Sequence, residues 1–469
     1  MWGIELERNS TVSLSRQIYQ EFRNQIIEGR MKPDETLPST RELASQLAVS
    51  RNTICEAYDM LLAEAFVVSR QGSPTRVAQG VQLDHKNPLK RSAIQGEKAK
   101  YSYKVSFRTG QPDVHSFPVH QWLQLMHKAS EALDPEHWGY TDPEGLPSLR
   151  EELALWLFRS RGMVVNPQDV FITAGATHAL HILAELLYED SGEILVEDPC
   201  HTGMLRTLKS RGFTVVPIPV DEHGMKTECL RSNKTKAVYV TPSHQFPLGG
   251  ILPASRRTSL IQYAAKKDAY IIEDDYDSEF RYCGPPIAPL YSMDPVRVIY
   301  VGTFSKIMFP ALRIGYVILP HELQIRWRYL RMHTDVQNPP FEQATLAEFL
   351  RSRRLDRHVQ QMRKLYGHRR NILLNALEEK FGKEQLCWGD AAGLHLAVEF
   401  PGACFDNHFL QRCKETGIYL STVDYHSIQK GRHLDKLLLG YGHLKDDDIQ
   451  AGISLLHQCM CVNVPAKTF

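Results

Sequence analysis

The chain has 469 residues, 43% of them hydrophobic, which is enough for two or three domains that each bury a core. Its 55 Lys and Arg against 54 Asp and Glu give a formal net charge of +1, so overall charge indicates neither a nucleic-acid nor a membrane partner. The nine cysteines lack CxxC pairs and metal-ligand spacing, and there is no signal-peptide pattern and no run of about 18 apolar residues; we therefore expect a cytoplasmic protein without structural disulfides, a metal site or a membrane span.

Two short helices are predicted near the N-terminus. Apolar residues recur every four positions from Leu14 to Ile26, which is the spacing of one helix face. Further on, Ser39 and Glu42 have the spacing of a capping box, in which the serine closes the first turn of a helix. A second helix is therefore expected to start near Thr40 and to run to about Leu47.

A third helix follows after a turn at Val49 and Ser50. Its predicted inner face consists of four residues, Ile54, Ala57, Tyr58 and Leu61. The second and third predicted helices are short and joined by a turn, which is typical of a helix-turn-helix. In this motif the start of the later helix contacts DNA. Arg51, Asn52 and Thr53 would point outward there and could reach base edges or phosphates. An ordinary three-helix packing unit would show the same pattern.

A hairpin and a polar segment complete the N-terminal part. Residues 66–70 and 75–77 are predicted strands on either side of the turn at 71–74, which would form a wing. Residues 78–104 show no sustained periodicity and carry six Lys and Arg against two acidic residues. We interpret them as a linker that is either a solvated tether or an additional contact for DNA phosphates. The predicted domains are thus 1–77 and 105–469.

From about residue 105, short apolar strands alternate with helical patterns, which predicts an α/β fold with a mostly parallel sheet covered on both faces. One strand, Val170–Thr173, is followed by the small residues Ala174–Thr177 at the start of a helix. Free backbone N–H groups at such a start favour a phosphate. Taken alone, this signal is weak, because small residues also begin many ordinary helices.

Two other predicted strand ends carry the groups that suggest chemistry. The apolar run 269–272 leads into the acidic stretch 273–279, and the run 298–301 leads through Gly302 to a single lysine, Lys306. A lysine held among apolar neighbours can lose its proton and attack a carbonyl, whereas a lysine in an open loop is merely a solvated charge. Buried acids need a cationic partner, and the protonated pyridine of pyridoxal phosphate (PLP) is one. We therefore interpret Lys306 as a Schiff-base lysine.

Three motifs in this order, residues 241–247, 272–280 and 302–306, resemble the signature of the MocR/GabR regulators, and the Leu-Pro-Ser-x-Arg-Glu-Leu and Ser-Arg-x-Thr segments at 37–43 and 50–53 are similar to the GntR winged helix. The resemblance covers nearly the whole chain. It implies a bacterial transcription factor with an N-terminal α+β winged helix-turn-helix and a C-terminal α/β PLP-dependent transferase fold of type I. It also implies a head-to-tail homodimer that reads two DNA half-sites.

The resemblance assigns residues to three roles. Lys306 would form the Schiff base with PLP. The expected cofactor-binding residues are Tyr140 (reaching across the dimer interface), Gly175, Ala176, Thr177, His201, Asp274 (on the pyridine nitrogen), Tyr276 (on the ring hydroxyl), Thr303, Ser305 and Arg313. The expected DNA contacts are Arg41, Ser50, Arg51, Asn52, Thr53, Gln71 and Gly72.

Several positions depart from the family's pattern. Phe246 replaces the asparagine that aminotransferases place near the ring hydroxyl, as it does in the regulators, and His201 replaces a ring-stacking tyrosine. The arginines that grip the carboxylate of γ-aminobutyrate are absent at Gly203 and within 421–427, so such an effector is not expected. Ala65 stands where the family usually has glycine, and a positive φ there would cost about 1 kcal/mol.

These observations predict a PLP-dependent transcriptional regulator that senses a small amino compound through Lys306, shifting the equilibrium between arrangements of the dimer. Two alternatives remain. The chain could be a working aminotransferase with a DNA-binding appendage, or a regulator whose signal is PLP itself.

Overall fold

The computed structural model describes residues 2–70, 72–82, 103–188, 192–389 and 391–461. The chain forms two compact units, Met1–Ala99 and Lys100–Phe469. Most of the predicted linker, residues 83–102, lies outside the described residues, so the domain boundaries placed around it stay a prediction. No helix in the described ranges is long and apolar enough to cross a membrane.

The N-terminal unit is a small winged helix. Its elements are α1 (Leu14–Ile27), α2 (Thr40–Leu47), α3 (Arg51–Ala63), β1 (Val67–Val68) and β2 (Arg76–Val77). The two strands pair antiparallel, with Val67 opposite Val77, and form the predicted wing with shorter strands than expected. All three helices begin where the sequence places them.

Local interactions explain these helix starts. The Ser39 hydroxyl accepts a hydrogen bond from the Glu42 amide at 3.2 Å, and the Ser50 hydroxyl accepts one from the Thr53 amide at 3.1 Å. Each serine therefore satisfies a backbone donor that the first turn would otherwise leave unpaired. The core between the helices consists of apolar side chains, among them Ile18, Phe22, Tyr58 and the other three residues of the predicted inner face of α3.

The second unit contains the remaining helices and strands. Its helices are α4 (Val119–Ala132), α5 (Pro147–Arg161), α6 (Ala176–Leu186), α7 (Thr202–Ser210), α8 (Ala254–Lys267), α9 (His321–Thr334), α10 (Pro340–Arg351), α11 (Arg354–Phe381), α12 (Asn407–Thr416), α13 (Val423–His426) and α14 (Asp446–Cys461). Its strands are β3 (Val105–Ser106), β4 (Val170–Thr173), β5 (Glu193–Asp198), β6 (Thr214–Asp221), β7 (Gly224–Met225), β8 (Thr235–Val240), β9 (Tyr270–Asp275), β10 (Val298–Thr303), β11 (Gly315–Ile318), β12 (Leu386–Trp388), β13 (His395–Glu399), β14 (Ile418–Tyr419), β15 (Ser421–Thr422) and β16 (Lys436–Gly440).

An eight-stranded sheet organises this unit, in the order β4-β11-β10-β9-β8-β5-β6-β7. The strands from β10 to β6 run parallel, whereas β11 is antiparallel to both of its neighbours and β7 is antiparallel to β6. Apolar clusters cover both faces, as the alternation of strands and helices predicts. Because β8, β9 and β10 are adjacent and parallel, their carboxyl ends meet at one edge of the sheet.

A smaller C-terminal part has the four-stranded antiparallel sheet β12-β13-β16-β15. The first strand of the unit, β3, pairs with β14, so the start of this unit is held against its end. The amphipathic sequence pattern of residues 342–375 predicts one continuous helix, and this prediction is wrong. The helix breaks between α10 and α11 at Arg353, whose φ of 58° lies in the left-handed region and cannot continue a right-handed helix.

Candidate cofactor site and DNA-binding surface

A cavity of about 260 Å³ opens at the carboxyl ends of β8, β9 and β10. It is lined by residues from segments far apart in the sequence: Thr109, Gly110, Ala176, Thr177, Leu180, His201, Tyr239, Thr241, Phe246, Asp274, Tyr276, Asp277, Thr303, Ser305, Lys306, Pro310, Arg313, Leu394 and His395. The predicted lysine, acids and small-residue loop thus meet in one place.

Lys306 follows the end of β10, and its Nζ donates a hydrogen bond to the carbonyl of Gly110. Burial lowers the pKa of Lys306, and the opposing effect of the nearby Asp277 and Asp274 carboxylates does not outweigh it. A lysine with a depressed pKa is unprotonated in a larger fraction of molecules and is the better nucleophile. The side chain is therefore suited to attack a carbonyl in this cavity.

Asp274 lies at the end of β9 and is buried at 8% exposure. Its Oδ2 accepts a hydrogen bond of 2.6 Å from the Tyr239 hydroxyl, while its Oδ1 is buried and has no partner among the described residues. Burial raises the pKa of Asp274 to about 6. A buried carboxylate oxygen without a donor is costly, so the cavity is chemically matched to a cationic N–H such as that of a protonated pyridine.

Tyr276 lies on the same wall of the cavity. Its hydroxyl is 3.1 Å from Nδ1 of His244, and this nitrogen is 3.0 Å from Oδ1 of Asp277. Burial opposes protonation of His244, but the Asp277 carboxylate outweighs burial and raises the pKa of His244. Burial also raises the pKa of Tyr276, so the phenol stays neutral and can hydrogen-bond a ring hydroxyl.

A cradle for an anion lies at the N-terminus of α6. Gly175, with φ of 89°, turns the chain into the helix, and a Cβ at this position would stand 2.9 Å from Nη2 of Arg313. Arg313 itself donates to the carbonyl of Ala174 at 2.7 Å. Nearby, the Thr303 hydroxyl donates to the Ser305 hydroxyl at 3.1 Å. Backbone donors, hydroxyls and one guanidinium therefore converge as a phosphate requires.

Aromatic and imidazole rings form the outer wall. The rings of His201, His395 and His426 lie 5.8, 5.4 and 4.9 Å from the Phe246 ring. Burial lowers the pKa of His395 to about 4 and that of His426 to about 3, so both are neutral near pH 7. Arg313 is the one guanidinium among the described residues that line the cavity.

Close packing against a neighbouring strand requires a glycine at position 302. A Cβ there would collide with the ring of Tyr316, which lies across the antiparallel pair formed by β10 and β11. β10 continues through Gly302 and ends at Thr303.

The cavity contains most of the predicted cofactor residues. Gly175 is not among the lining residues, although a Cβ at this position would meet the Arg313 guanidinium. Tyr140 is 91% exposed and does not line the cavity. Sequence reasoning did not identify Tyr239, Gly110 or His395. Tyr239 could have been found as the one hydroxyl-bearing aromatic in the apolar strand β8, but Gly110 and His395 are brought in by tertiary packing that no local pattern reveals.

The predicted DNA-contacting residues lie at the start of α3 and in the wing. Arg41, Arg51 and Asn52 are exposed, whereas Ser50 caps the helix and Thr53 is partly buried against it. Arg51 Nε also donates to the Thr40 hydroxyl at 3.3 Å, which ties the two helices of the motif together. Gly72 is exposed in the wing with φ of 81°, and Gln71 lies outside the described residues.

Comparison with known proteins agrees with this architecture. Residues 14–77 match the bacterial regulatory proteins of the gntR family, and residues 103–432 match aminotransferase class I and II. The chain is 32% identical over 470 residues to the probable rhizopine catabolism regulatory protein MocR of Rhizobium meliloti, covering 96% of this chain and 94% of the relative. It is 34% identical over 380 residues to the HTH-type pyridoxine biosynthesis transcriptional regulator PdxR of Corynebacterium glutamicum, covering 80% and 81% of the two chains.

Solved structures show the fold of the second unit independently. The kynurenine aminotransferase of Pyrococcus horikoshii is 26% identical and superimposes with a TM-score of 0.72, covering 78% of this chain and 92% of that one. A multiple substrate aminotransferase from Thermococcus profundus is 25% identical with a TM-score of 0.72, covering 80% of this chain and 96% of that one. The chain therefore belongs to the MocR-type regulators of the GntR family, in which a winged helix-turn-helix is fused to a fold-type-I aminotransferase-like domain.

Proposed function

We propose that this regulator holds PLP in the cavity at Lys306 and changes its affinity for operator DNA when a small amino compound, or PLP itself, binds there. The strongest support is the unpaired Oδ1 of Asp274, a buried acceptor in the same cavity as a lysine of lowered pKa. Neither group is explained by packing alone, and both suit a cofactor with a pyridine nitrogen and a carbonyl.

The residues would divide the work by chemistry. Asp274, oriented by Tyr239, would hold the pyridine N–H, and Tyr276 would hydrogen-bond the ring hydroxyl. The phosphate would be held by a set of donors: Gly175, Ala176, Thr177, Thr303, Ser305 and Arg313. His201 would lie at the ring face, and Tyr140 of a second protomer would complete the site in a head-to-tail homodimer.

When bound, PLP supplies an aldehyde that reacts with primary amines and a ring that withdraws electrons. Lys306 would hold the cofactor through its amino group, and the aldehyde chemistry that PLP would supply there would let the cavity distinguish primary amines from other ligands. The neutral imidazoles of His395 and His426 give the outer wall hydrogen-bonding groups without fixed positive charge. A site of this kind is not built to grip a carboxylate through paired guanidinium groups.

DNA recognition would use the exposed start of α3. Arg51 and Asn52 project from the first turn of this helix and could enter the major groove, while Arg41 and Gly72 would contact the backbone. The family resemblance also assigns DNA contacts to Thr53 and to Gln71, which lies outside the described residues, and Ser50 would contribute through its cap. Two copies would read two half-sites.

A working aminotransferase is the second candidate. It is favoured by the structural likeness to aminotransferases and by the retention of the lysine, the carboxylate and the phenol in one cavity. Steady-state conversion of an amino acid and 2-oxo acid pair at about 1 per second or faster would support it.

The test is DNA binding by wild type and Lys306→Ala on a fragment from upstream of the protein's own gene, with and without PLP and a panel of amines. The regulator proposal predicts specific binding by both proteins and a response to PLP or an amine in the wild type alone. Absence of specific binding at low salt, combined with steady-state transamination, would overturn it in favour of the enzyme.

A further inference from the structure

A second cavity, of about 330 Å³, lies between the end of α5, the loop after β9 and the start of α11. It shares no lining residue with the cofactor cavity. The end of β9 connects the two cavities, because adjacent residues of a strand point to opposite faces of the sheet. Asp274 lines the cofactor cavity, whereas Asp275 pairs with Arg161, which lines the second cavity.

Unpaired donors converge on this second cavity. Nε and Nη2 of Arg159, Nε of Arg161, Nε of Arg281 and the Ser278 hydroxyl are all buried without a hydrogen-bond partner among the described residues. The Arg161 side chain is only 4% exposed. Buried donors are ordinarily satisfied, so several in one cavity indicate that an acceptor is to be bound there.

The charges of the lining residues agree with this. The Arg281 side chain has no acidic partner within ion-pair distance in the described parts of the chain, and a Cβ on Gly284 would stand 3.0 Å from its Nη2. Arg159 and Arg353 share the single carboxylate of Asp356, at 3.7 and 3.4 Å. The carboxylate of Asp356 therefore balances the charge of only one of these two arginines, and no carboxylate among the described residues balances the charge of Arg281.

The remaining charged groups of the cavity are Arg363 and Glu279. Arg363 Nε donates to the backbone carbonyl of Glu279 at 2.9 Å, which leaves its charge unpaired by a carboxylate. Burial raises the pKa of Glu279, as does Asp275, so its carboxyl is less charged than an exposed one. Five arginines line this cavity with two carboxyl groups, and Asp275 outside the lining pairs with one of the five, Arg161, so the arginines still outnumber the carboxyl groups. The volume of the cavity falls within the range of small-molecule sites.

We propose that this cavity binds a small anion with several acceptor oxygens, namely a phosphate ester or a polycarboxylate. A metal ion is not expected, because the unpaired lining atoms are chiefly donors. Planar guanidinium groups that approach from different sides match the oxygens of phosphate and carboxylate. This site stands independently of PLP binding at Lys306.

Inorganic phosphate and citrate are suitable probes, titrated by calorimetry into the full-length protein saturated with PLP. We expect saturable binding of at least one probe to the wild type, and the anion that binds more tightly identifies the class. Arg281→Gln should weaken binding about tenfold, because it removes a charge-assisted hydrogen bond from a side chain that has no acidic partner among the described residues. Ser278→Ala, which leaves the charge unchanged, should weaken it less.

Two control variants make the test specific. Arg326→Gln removes an exposed arginine of α9 and should bind as the wild type does. Arg313→Gln disturbs the phosphate cradle of the cofactor cavity and should leave this second affinity unchanged. Absence of saturable binding, or loss of binding in Arg313→Gln but not in Arg281→Gln, would overturn the proposal. A lowered DNA affinity of Arg281→Gln without binding of either anion would also overturn it and would assign the arginines to DNA phosphates.

Discussion

The two compact units place the side chains that we propose to be functional in opposite ways. The winged helix carries Arg41, Arg51 and Asn52 on an exposed surface built from one short segment, and helix caps hold that segment in place. The second unit assembles its site from distant segments and buries Asp274 at 8% exposure. Exposed recognition groups are screened and act through salt-dependent contacts, whereas buried groups have shifted pKa values and respond to pH and to ligand chemistry.

The largest expected difference concerns a buried ion pair. Arg161 and Asp275 are 2.6 Å apart with side chains 4% and 2% exposed. Arg161→Met should lower the free energy of unfolding by about 3–5 kcal/mol, because it leaves Asp275 as a buried charge without its partner. Chemical denaturation would measure this loss.

The control is a surface pair of the same type. Arg297 is 3.0 Å from Asp268, whose side chain is 94% exposed, so Arg297→Met should cost less than about 1 kcal/mol. Equal losses in the two variants would contradict the contrast between buried and exposed charge.

When PLP is absent, the free energy of unfolding should depend on pH through Asp274 in the cofactor cavity. Burial raises the pKa of Asp274 from 3.8 to about 6, so the folded chain binds this proton more tightly than the unfolded chain does. The associated stabilisation is present at low pH and is lost as the pH rises from about 4 to about 6, by on the order of 3 kcal/mol. Relative to Asp274→Asn, the wild type should therefore lose unfolding free energy across this range. A difference between the two proteins that does not vary with pH would rule out a raised pKa at Asp274.

On the exposed surface, the expected effect is on DNA and not on stability. Arg51→Ala should weaken binding to upstream DNA about tenfold. It should also reduce the slope of log affinity against log salt concentration by about one. Fluorescence anisotropy at two salt concentrations would measure both. Arg30→Ala, in the same unit but ion-paired with Glu28 at 2.7 Å, is the matched control and should bind as the wild type does. A similar loss in the two variants would show that the contact is not specific to α3.

The smallest expected effect is a stabilisation. Ala65 has φ of 57°, in the left-handed region that glycine adopts more easily, as its position in the sequence suggested. Ala65→Gly should raise the free energy of unfolding of the winged helix by up to about 1 kcal/mol. Ala57→Gly, in the interior of α3, should lower it instead. If both substitutions destabilise, strain at Ala65 is not significant.

The two units also differ in which features of the sequence predict their structure. The helices, caps and wing of the first unit depend on contacts within a few residues, so periodicity and the spacing of Ser39 and Glu42 were enough to place them. The strands of the second unit and the meeting of Lys306 with Asp274 follow from the rule that parallel strands share their carboxyl ends.

What could not be predicted depends on tertiary structure. The contact of Lys306 with Gly110, the support of Asp274 by Tyr239 and the approach of His395 join segments with no common pattern. The break at Arg353 was missed because an arginine gives no local signal for the left-handed conformation.

The most direct test of the central claim is reduction with borohydride of the PLP-treated protein, followed by peptide mass spectrometry. We predict a pyridoxyl group on the peptide that contains Lys306 in the wild type, and none on that peptide in Lys306→Ala. A wild-type Lys306 peptide of unchanged mass, or a group distributed over surface lysines in both proteins, would contradict the account.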